Sequence, residues 1–299
     1  MRNRLLFAVL PLASLLAASP PLGAQQKVDI HRAATPTVSV RIGGALSSVR
    51  IIGWDRDSIS LVGSIGAGSR FDGGAMNTTG PVQGMKFFIE AADEPSVRAN
   101  RLELHVPSRA RVWIKAGSAD IEASGVTGGL DLNIVGGSVK VSGSPRELIV
   151  ESMDGGVTVN GTPEFARIKT ATGDIAAQGG GEDLTFTTVS GSIRAAEGTI
   201  QRGRFETVTG PIVFAGTLAR GADARFDTHS GSIELRLAPR SDIEIDAATV
   251  TGSIENQYSR TRPIAGREGR GMELGVSSGM GGARVSIRSF KGNVRLSAK

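Results

Sequence analysis

The sequence predicts an all-β protein, most of it a single-stranded β-solenoid (β-helix) with rungs of about 18–21 residues behind an irregular amino-terminal β cap. Three observations predict it. A tripeptide of a small residue, a turn residue and Ile or Val recurs in register, as Ala119-Asp120-Ile121, Gly137-Ser138-Val139, Gly155-Gly156-Val157, Gly173-Asp174-Ile175 and Gly191-Ser192-Ile193. It continues as Gly210-Pro211-Ile212, Gly231-Ser232-Ile233, Gly252-Ser253-Ile254 and Gly292-Asn293-Val294, at intervals of 18, 18, 18, 18, 19, 21, 21 and 40. Apolar residues stand at fixed offsets from it with the strand period of two. The 41 glycines among 299 residues, nearly twice the usual share of about 7%, fall in this register among Val, Ile and Thr, which marks order rather than a flexible chain.

The chain opens on Arg2 and Arg4, an apolar stretch over Leu5 to Leu10 and Leu12 to Ala18, and the small-residue site Leu22-Gly23-Ala24. That order has the anatomy of a secretory signal peptide over residues 1–24. Pro11, Pro20 and Pro21 interrupt it, and it falls short of the roughly 20 apolar residues of a membrane span. Removing Arg2 and Arg4 from the formal charge of +5 leaves +3 on the mature chain. Its charges are dispersed and its aromatics few, unlike a nucleic-acid surface, which clusters cations beside stacking rings. With no cysteine, stability has to come from burial and backbone pairing. No later stretch is long and apolar enough to span a bilayer.

Residues 25–36 read as a flexible mature amino terminus, and 37–110 as the β cap. Strand character is plain in Val38, Val40 and Ile42, then Val49 to Ile52, Ile59 to Val62, Phe87 to Ile89, and Leu102, Leu104 and Val106. The Gly-rich stretch 63–84 reads as an exposed loop. Its Gly63-Ser64-Ile65-Gly66-Ala67-Gly68 run lacks the following helix that a nucleotide loop needs. Terminal repeats of such arrays are expected to be atypical.

Residues 111–299 are the repeats. Five positions before the small residue lie Ile114, Leu132, Val150, Ile168, Phe186, Phe205, Phe226, Ala247 and Ile287. Seven before it, Val112, Leu130, Leu148, Leu184, Ile245 and Val285 are apolar as well; three before it, Thr170, Thr188, Thr207, Thr228 and Thr249 repeat one residue type. Each unit therefore carries one strand before the glycine and a second after it. Gly137, Gly155, Gly173, Gly191, Gly210, Gly231 and Gly252 supply the corner where a Cβ would clash. Stacked units place Phe186, Phe205 and Phe226 in one internal ladder. The alternate positions face solvent, with Arg167, Arg204 and Arg225 six before the small residue and Glu151, Lys169, Glu206 and Asp227 four before it, so that Arg and acid sit two apart on one face. The interval of 40 before Gly292 calls for an extra hairpin or a degenerate rung, and 256–283, with Gly266-Arg267-Glu268-Gly269-Arg270-Gly271, reads as a polar loop.

One column breaks the alternation. Two positions before the glycine, Val135, Met153, Ala171, Val189, Val208 and Val250 are apolar where solvent is expected. A bend already begun there packs them at an inner corner, which we expect; otherwise they form an exposed stripe of the kind that marks partner surfaces.

Nothing in the sequence marks an active site or a cofactor. Of the three histidines, His31 lies near the mature amino terminus, His105 in a strand and His229 beside a corner. Asp227, His229 and Ser230 are too close along one strand to form a triad, and no paired-His spacing suggests zinc. Glu206 over Asp227, and Glu234 over Glu255, are placed to stack acids on adjacent rungs, where they would bind Ca²⁺ or act as acid and base. Arg204 and Arg225 argue instead for ordinary surface ion pairs.

Leu102-Glu103-Leu104-His105-Val106-Pro107, leading through Val112 to Ile114 into the Gly-Asp/Ser-Ile copies, resembles the putative adhesin family of bacterial β-strand-repeat domains of unknown function. Val38 to Gly53 followed by Trp54-Asp55-Arg56-Asp57-Ser58-Ile59 is similar to that family's opening, and the likeness covers roughly residues 37–299. The resemblance implies an exported β-helical module and brings no catalytic residues. The chain departs from surface-anchored proteins in ending on Leu296-Ser297-Ala298-Lys299 with no sorting tail. The expected function is a non-enzymatic, adhesin-like or envelope-scaffolding module, periplasmic or at the cell surface, with an unidentified protein or glycan partner. The alternative is a carbohydrate-binding or polysaccharide-cleaving β-helix. The ladder yields a first prediction: Phe205→Ala lowers stability in chemical denaturation by about 3–5 kcal/mol, whereas a loss under about 1 kcal/mol would place Phe205 outside a core.

Overall fold

The computed structural model describes residues 25–299 apart from Arg240, Arg267, Glu268 and Gly281; the expected signal peptide lies outside the described residues. The chain is almost wholly β, as the solenoid reading requires, with one short helix. Each rung lays down one strand, turns at its glycine and lays down a second. Two layers of mainly parallel strands thus face each other across one core. Within each strand buried and exposed residues alternate, as in β8 (Gly129–Ser142) and β15 (Ile212–Thr228).

Like lies over like. Leu132 pairs with Val150, Val150 with Ile168, Ile168 with Phe186, Phe186 with Phe205 and Phe205 with Phe226. Phe205 and Phe226 stack at 5.0 Å between centroids, and Phe186 meets Phe205 edge-on at 5.4 Å. Phe214 of the opposite layer reaches within 6.0 Å of Phe205 and 5.5 Å of Phe226, so the layers interlock around these rings. Aromatic pairs in such geometries contribute about 0.5–1.5 kcal/mol each beyond the area they bury.

The corners are built by a second ladder. The threonines three before the glycine turn inward, and their hydroxyls accept the glycine amides: Gly191 donates to Thr188 at 3.1 Å, Gly210 to Thr207 at 3.0 Å, Gly231 to Thr228 at 2.9 Å and Gly252 to Thr249 at 3.1 Å. Ser289 does the same for Gly292 at 2.7 Å. A Cβ at Gly173, Gly191, Gly210 or Gly231 would fall onto the carbonyl oxygen of the glycine one rung earlier. Close backbone stacking, rather than an unusual φ, is what demands glycine at these four.

The order of rungs in space differs from their order in sequence at both ends. Phe226 is followed by Ile287 and only then by Ala247. This is because β21 (Ala283–Ser289) inserts between β15 and β17 (Ile243–Thr249), while β22 (Val294–Ala298) inserts between β16 (Ile233–Leu237) and β18 (Ile254–Asn256). The long interval before Gly292 is the chain travelling out past this rung and back. On the way β19 (Ile264–Ala265) and β20 (Met272–Ser278) form antiparallel pairs, with β20 lying along the outer edge of β17. The segment 256–283, expected as a loop, is in this part an edge cover.

The amino-terminal end repeats the device. β1 (Gln26–Gly44) lies between β5 (Val82–Ala91) and the first half of β7 (Arg111–Ser124), and β2 (Ser48–Trp54) lies between β6 (Arg101–Pro107) and the second half of β7. Two expectations are corrected. Residues 25–36, read as flexible, are largely in β1, whose Gln26–Ala33 pair antiparallel with β3 (Ser58–Ile65). The stretch 63–84, read as an exposed loop, holds the end of β3 and all of β4 (Ser69–Ala75), which runs antiparallel along β5. The second reading weighed glycine content above the pairing potential of an edge.

The helix, α1 (Glu94–Ala99), starts where Asp93 accepts the Ser96 amide at 2.9 Å and Pro95 occupies the first turn. It delivers Asn100, fully buried, whose side chain accepts the Gly66 amide at 2.8 Å and the Ser69 hydroxyl at 3.0 Å, and donates to the Ala45 carbonyl at 2.7 Å. One amide group thereby ties β1, β3 and β4 together.

Because β21 and β22 are interior, deleting residues 283–299 should abolish the cooperative thermal transition seen by circular dichroism. Had they been a terminal rung, nearest-neighbour stacking would leave the rest folded. A truncated chain that melts cooperatively within a few degrees of the full one contradicts the insertion.

Candidate interaction surface

The column two before the glycine is exposed, which corrects the expectation of an inner corner. Val135, Met153, Val189, Val208 and Val250 keep between 42% and 55% of their surface in solvent. At the Val189, Val208 and Val250 rungs the physical reason is the hydroxyl-to-amide bond. It closes a four-residue turn from threonine to glycine, and the two residues between its ends bulge outward. Their carbonyls still join the ladder: Met153 accepts from Ala171, Ala171 from Val189, and Val189 from Val208.

In space the stripe runs Val135, Met153, Ala171, Val189, Val208, His229, Phe290, Val250, following the inserted rung. Sequence reasoning missed Phe290, which stands two before Gly292 and is 44% exposed; the same offset would have found it. His229 stacks on Phe290 at 5.1 Å, so the ring extends the stripe. Shallow depressions lie over both ends, one of about 510 Å³ at Val135, Met153 and Ala171, the other of about 690 Å³ at His229, Phe290 and Val250. Arg270 and Met272 wall the second.

Polar columns flank the stripe. On one side run Glu151, Lys169, Thr187, Glu206, Asp227 and Arg288; on the other run Asp154, Thr172, Ser190, Thr209, Ser230 and Lys291. Glu206 and Asp227 do occupy adjacent rungs. Arg204 binds Glu206 at 2.6 Å, and Arg225 binds Asp223 at 3.4 Å. Burial, then the Glu206 charge, pushes the Asp227 carboxyl above its ordinary range, against the pull of Arg204, Arg288 and Arg225. The other expected acid pair is not formed, because the inserted rung sets Arg295 between Glu234 and Glu255. Arg295 binds Glu255 at 2.8 Å.

The remaining titratable candidates do not converge. His31 pairs with Asp29 at 2.8 Å, and His105 packs against Trp54 at 4.9 Å. Asp227 and His229, two apart, share the outer face. No hydrogen bond joins them or Ser230 among the described residues, and the Ser230 hydroxyl donates to the Val208 carbonyl at 3.4 Å. Among the described residues no group of three metal-ligating side chains occurs, and no helix is long and apolar enough to cross a membrane.

A family profile described as Toastrack DUF4097 matches residues 48–297. No curated protein matches the chain. A solved structure of a putative cell adhesion protein from Clostridium sporogenes is similar over 93% of this chain and 100% of its own, at 8% identity and a TM-score of 0.22, too remote to carry an argument.

Proposed function

The chain belongs to the Toastrack DUF4097 family, and from that premise we propose that it is a non-enzymatic module exported to the cell envelope, adhesin-like or scaffolding, which holds a partner along its corner stripe. The observation that carries this reading is the row of solvent-facing Val, Met and Phe side chains along the stack, joined across two rungs by Ala171 and His229. Isolated surface apolar residues are ordinary; a contiguous row rimmed by charge marks an interaction site. The dispersed ion pairs of the layer faces favour a scaffold over a catalyst, which would need a cleft with converging acids and bases. Export is the reading of Arg2, Arg4 and the apolar stretch after them. It leaves the periplasm and the cell surface as destinations, which protease shaving of intact cells separates.

A second reading, glycan binding, is favoured by one place. Trp113, half-buried on the outer face between Arg41 and Asp131, borders a depression of about 540 Å³. An aromatic platform beside polar groups suits a sugar ring.

Retention of the purified mature chain on washed envelopes of its own host tests the proposal. Replacing Val189 and Val208 with Lys should cut retention about tenfold, one decade of affinity being about 1.4 kcal/mol, with the melting temperature unchanged. Retention that survives these changes but is lost in Trp113→Ala would transfer the function to the glycan reading. Turnover of an acidic polysaccharide by the pure protein would overturn the non-enzymatic one.

A further inference from the structure

We infer that the partner on the stripe is a second copy of this chain, docked antiparallel about a two-fold axis that crosses the stripe between Val189 and Val208. The inference rests on the reading of the stripe as a contact surface and deepens it by naming the occupant. What carries it is the charge order of the two flanking columns.

A two-fold axis lying in the interface and perpendicular to the stripe sets each flank against itself with the rung order reversed. With the axis between the Val189 and Val208 rungs, Lys169 of one copy faces Asp227 of the other, and Glu151 faces Arg288. On the opposite flank Asp154 faces Lys291. Symmetry makes each contact twice. The apolar row matches in the same register: Val189 meets Val208, small Ala171 meets the His229 ring, and Met153 meets Phe290.

Neighbouring arrangements fail on these same residues. Moving the axis onto the Val189 rung brings Lys169 to Glu206 but sets Glu151 against Asp227. Moving it onto the Val208 rung sets Lys169 against Arg288 and Glu206 against its own copy. A parallel pairing, with the axis along the stripe, sets Glu151 against Asp154 and Arg288 against Lys291. Like charges brought together discriminate against wrong registers, so the register between Val189 and Val208, with opposite charges matched and no like charges facing, is the favoured one. From Val135 to Val250 the stripe crosses seven rung steps, roughly 34 Å at the spacing of parallel strands. With flanks about 15 Å wide in all, two copies bury on the order of 1,000 Å², the low end for a specific interface. The dimer is therefore a reversible one.

The chain has no cysteine, so introduced thiols report the register without interference. Met153→Cys and Phe290→Cys chains, mixed and oxidised, should form a disulfide-linked dimer at least about tenfold faster than either alone, since the pairing holds the two thiols at high effective concentration. In sedimentation equilibrium, Asp154→Lys should weaken the wild-type dimer about fivefold or more. The Asp154→Lys/Lys291→Asp double variant should recover it to within about twofold, as coupled pairs do. Faster cross-linking of Met153→Cys with itself overturns the antiparallel register. A double variant as weak as the single overturns the charge pairing. A wild-type chain monomeric at about 200 μM, beyond the range of a functional low-area interface, overturns the second copy altogether. If that monomer still needs Val189 and Val208 for envelope retention, the interaction reading stands with another partner.

Discussion

The structure depends on one corner: a buried threonine or serine hydroxyl accepting the amide of a glycine three residues on, with that glycine's backbone pressed against the glycine of the rung before. A parallel stack at strand spacing needs each turn to superimpose on the last, and a Cβ at the contact would hold the rungs apart. The turn also buries a glycine amide in an apolar core, where an unpaired donor is costly. The hydroxyl resolves both problems at once. The Ser152 hydroxyl, by contrast, is buried without a partner, at the first rung where the hydroxyl column begins.

That corner also explains how much the sequence could reveal. The small residue before Ile or Val, the apolar column that includes Phe186, Phe205 and Phe226, and the threonine run were legible because stacking imposes the same demand at every rung. The outward column was seen but misplaced. Alternation alone cannot say that a threonine-to-glycine bond throws both intervening residues out, and Val189 and Val208 looked like wall residues. The missing member, Phe290, was hidden by the long interval before Gly292. The order of rungs was not legible at all. Nothing local in β21 says that it will pair with both β15 and β17; that is decided by which edge the chain finds on its way back.

Inserted rungs at both ends have a common physical consequence. An open solenoid ends in unpaired strand edges, which invite other strands to add. Here the edges are covered by antiparallel pieces, β3 and β4 at one end and β20 at the other, while the first and last strands of the chain sit one rung inside. β22 and the second half of β1 cannot peel away without breaking pairing on two sides, whereas Gln26–Ala33 pair with β3. The stripe presents apolar side chains along the length of the stack. From Val189 to Val250 the stripe follows the same hydroxyl bonds that close the corners.

The measurement that tests this account most directly is the stability of Thr207→Val in chemical denaturation. The change keeps the shape of the side chain and removes only the oxygen that accepts the Gly210 amide at 3.0 Å. If the corner works as described, the buried amide is left unsatisfied and stability falls by about 1–3 kcal/mol. If the valine variant is as stable as the parent, or more so through its added apolar surface, packing alone holds the corner and the hydroxyl ladder is not what the fold depends on.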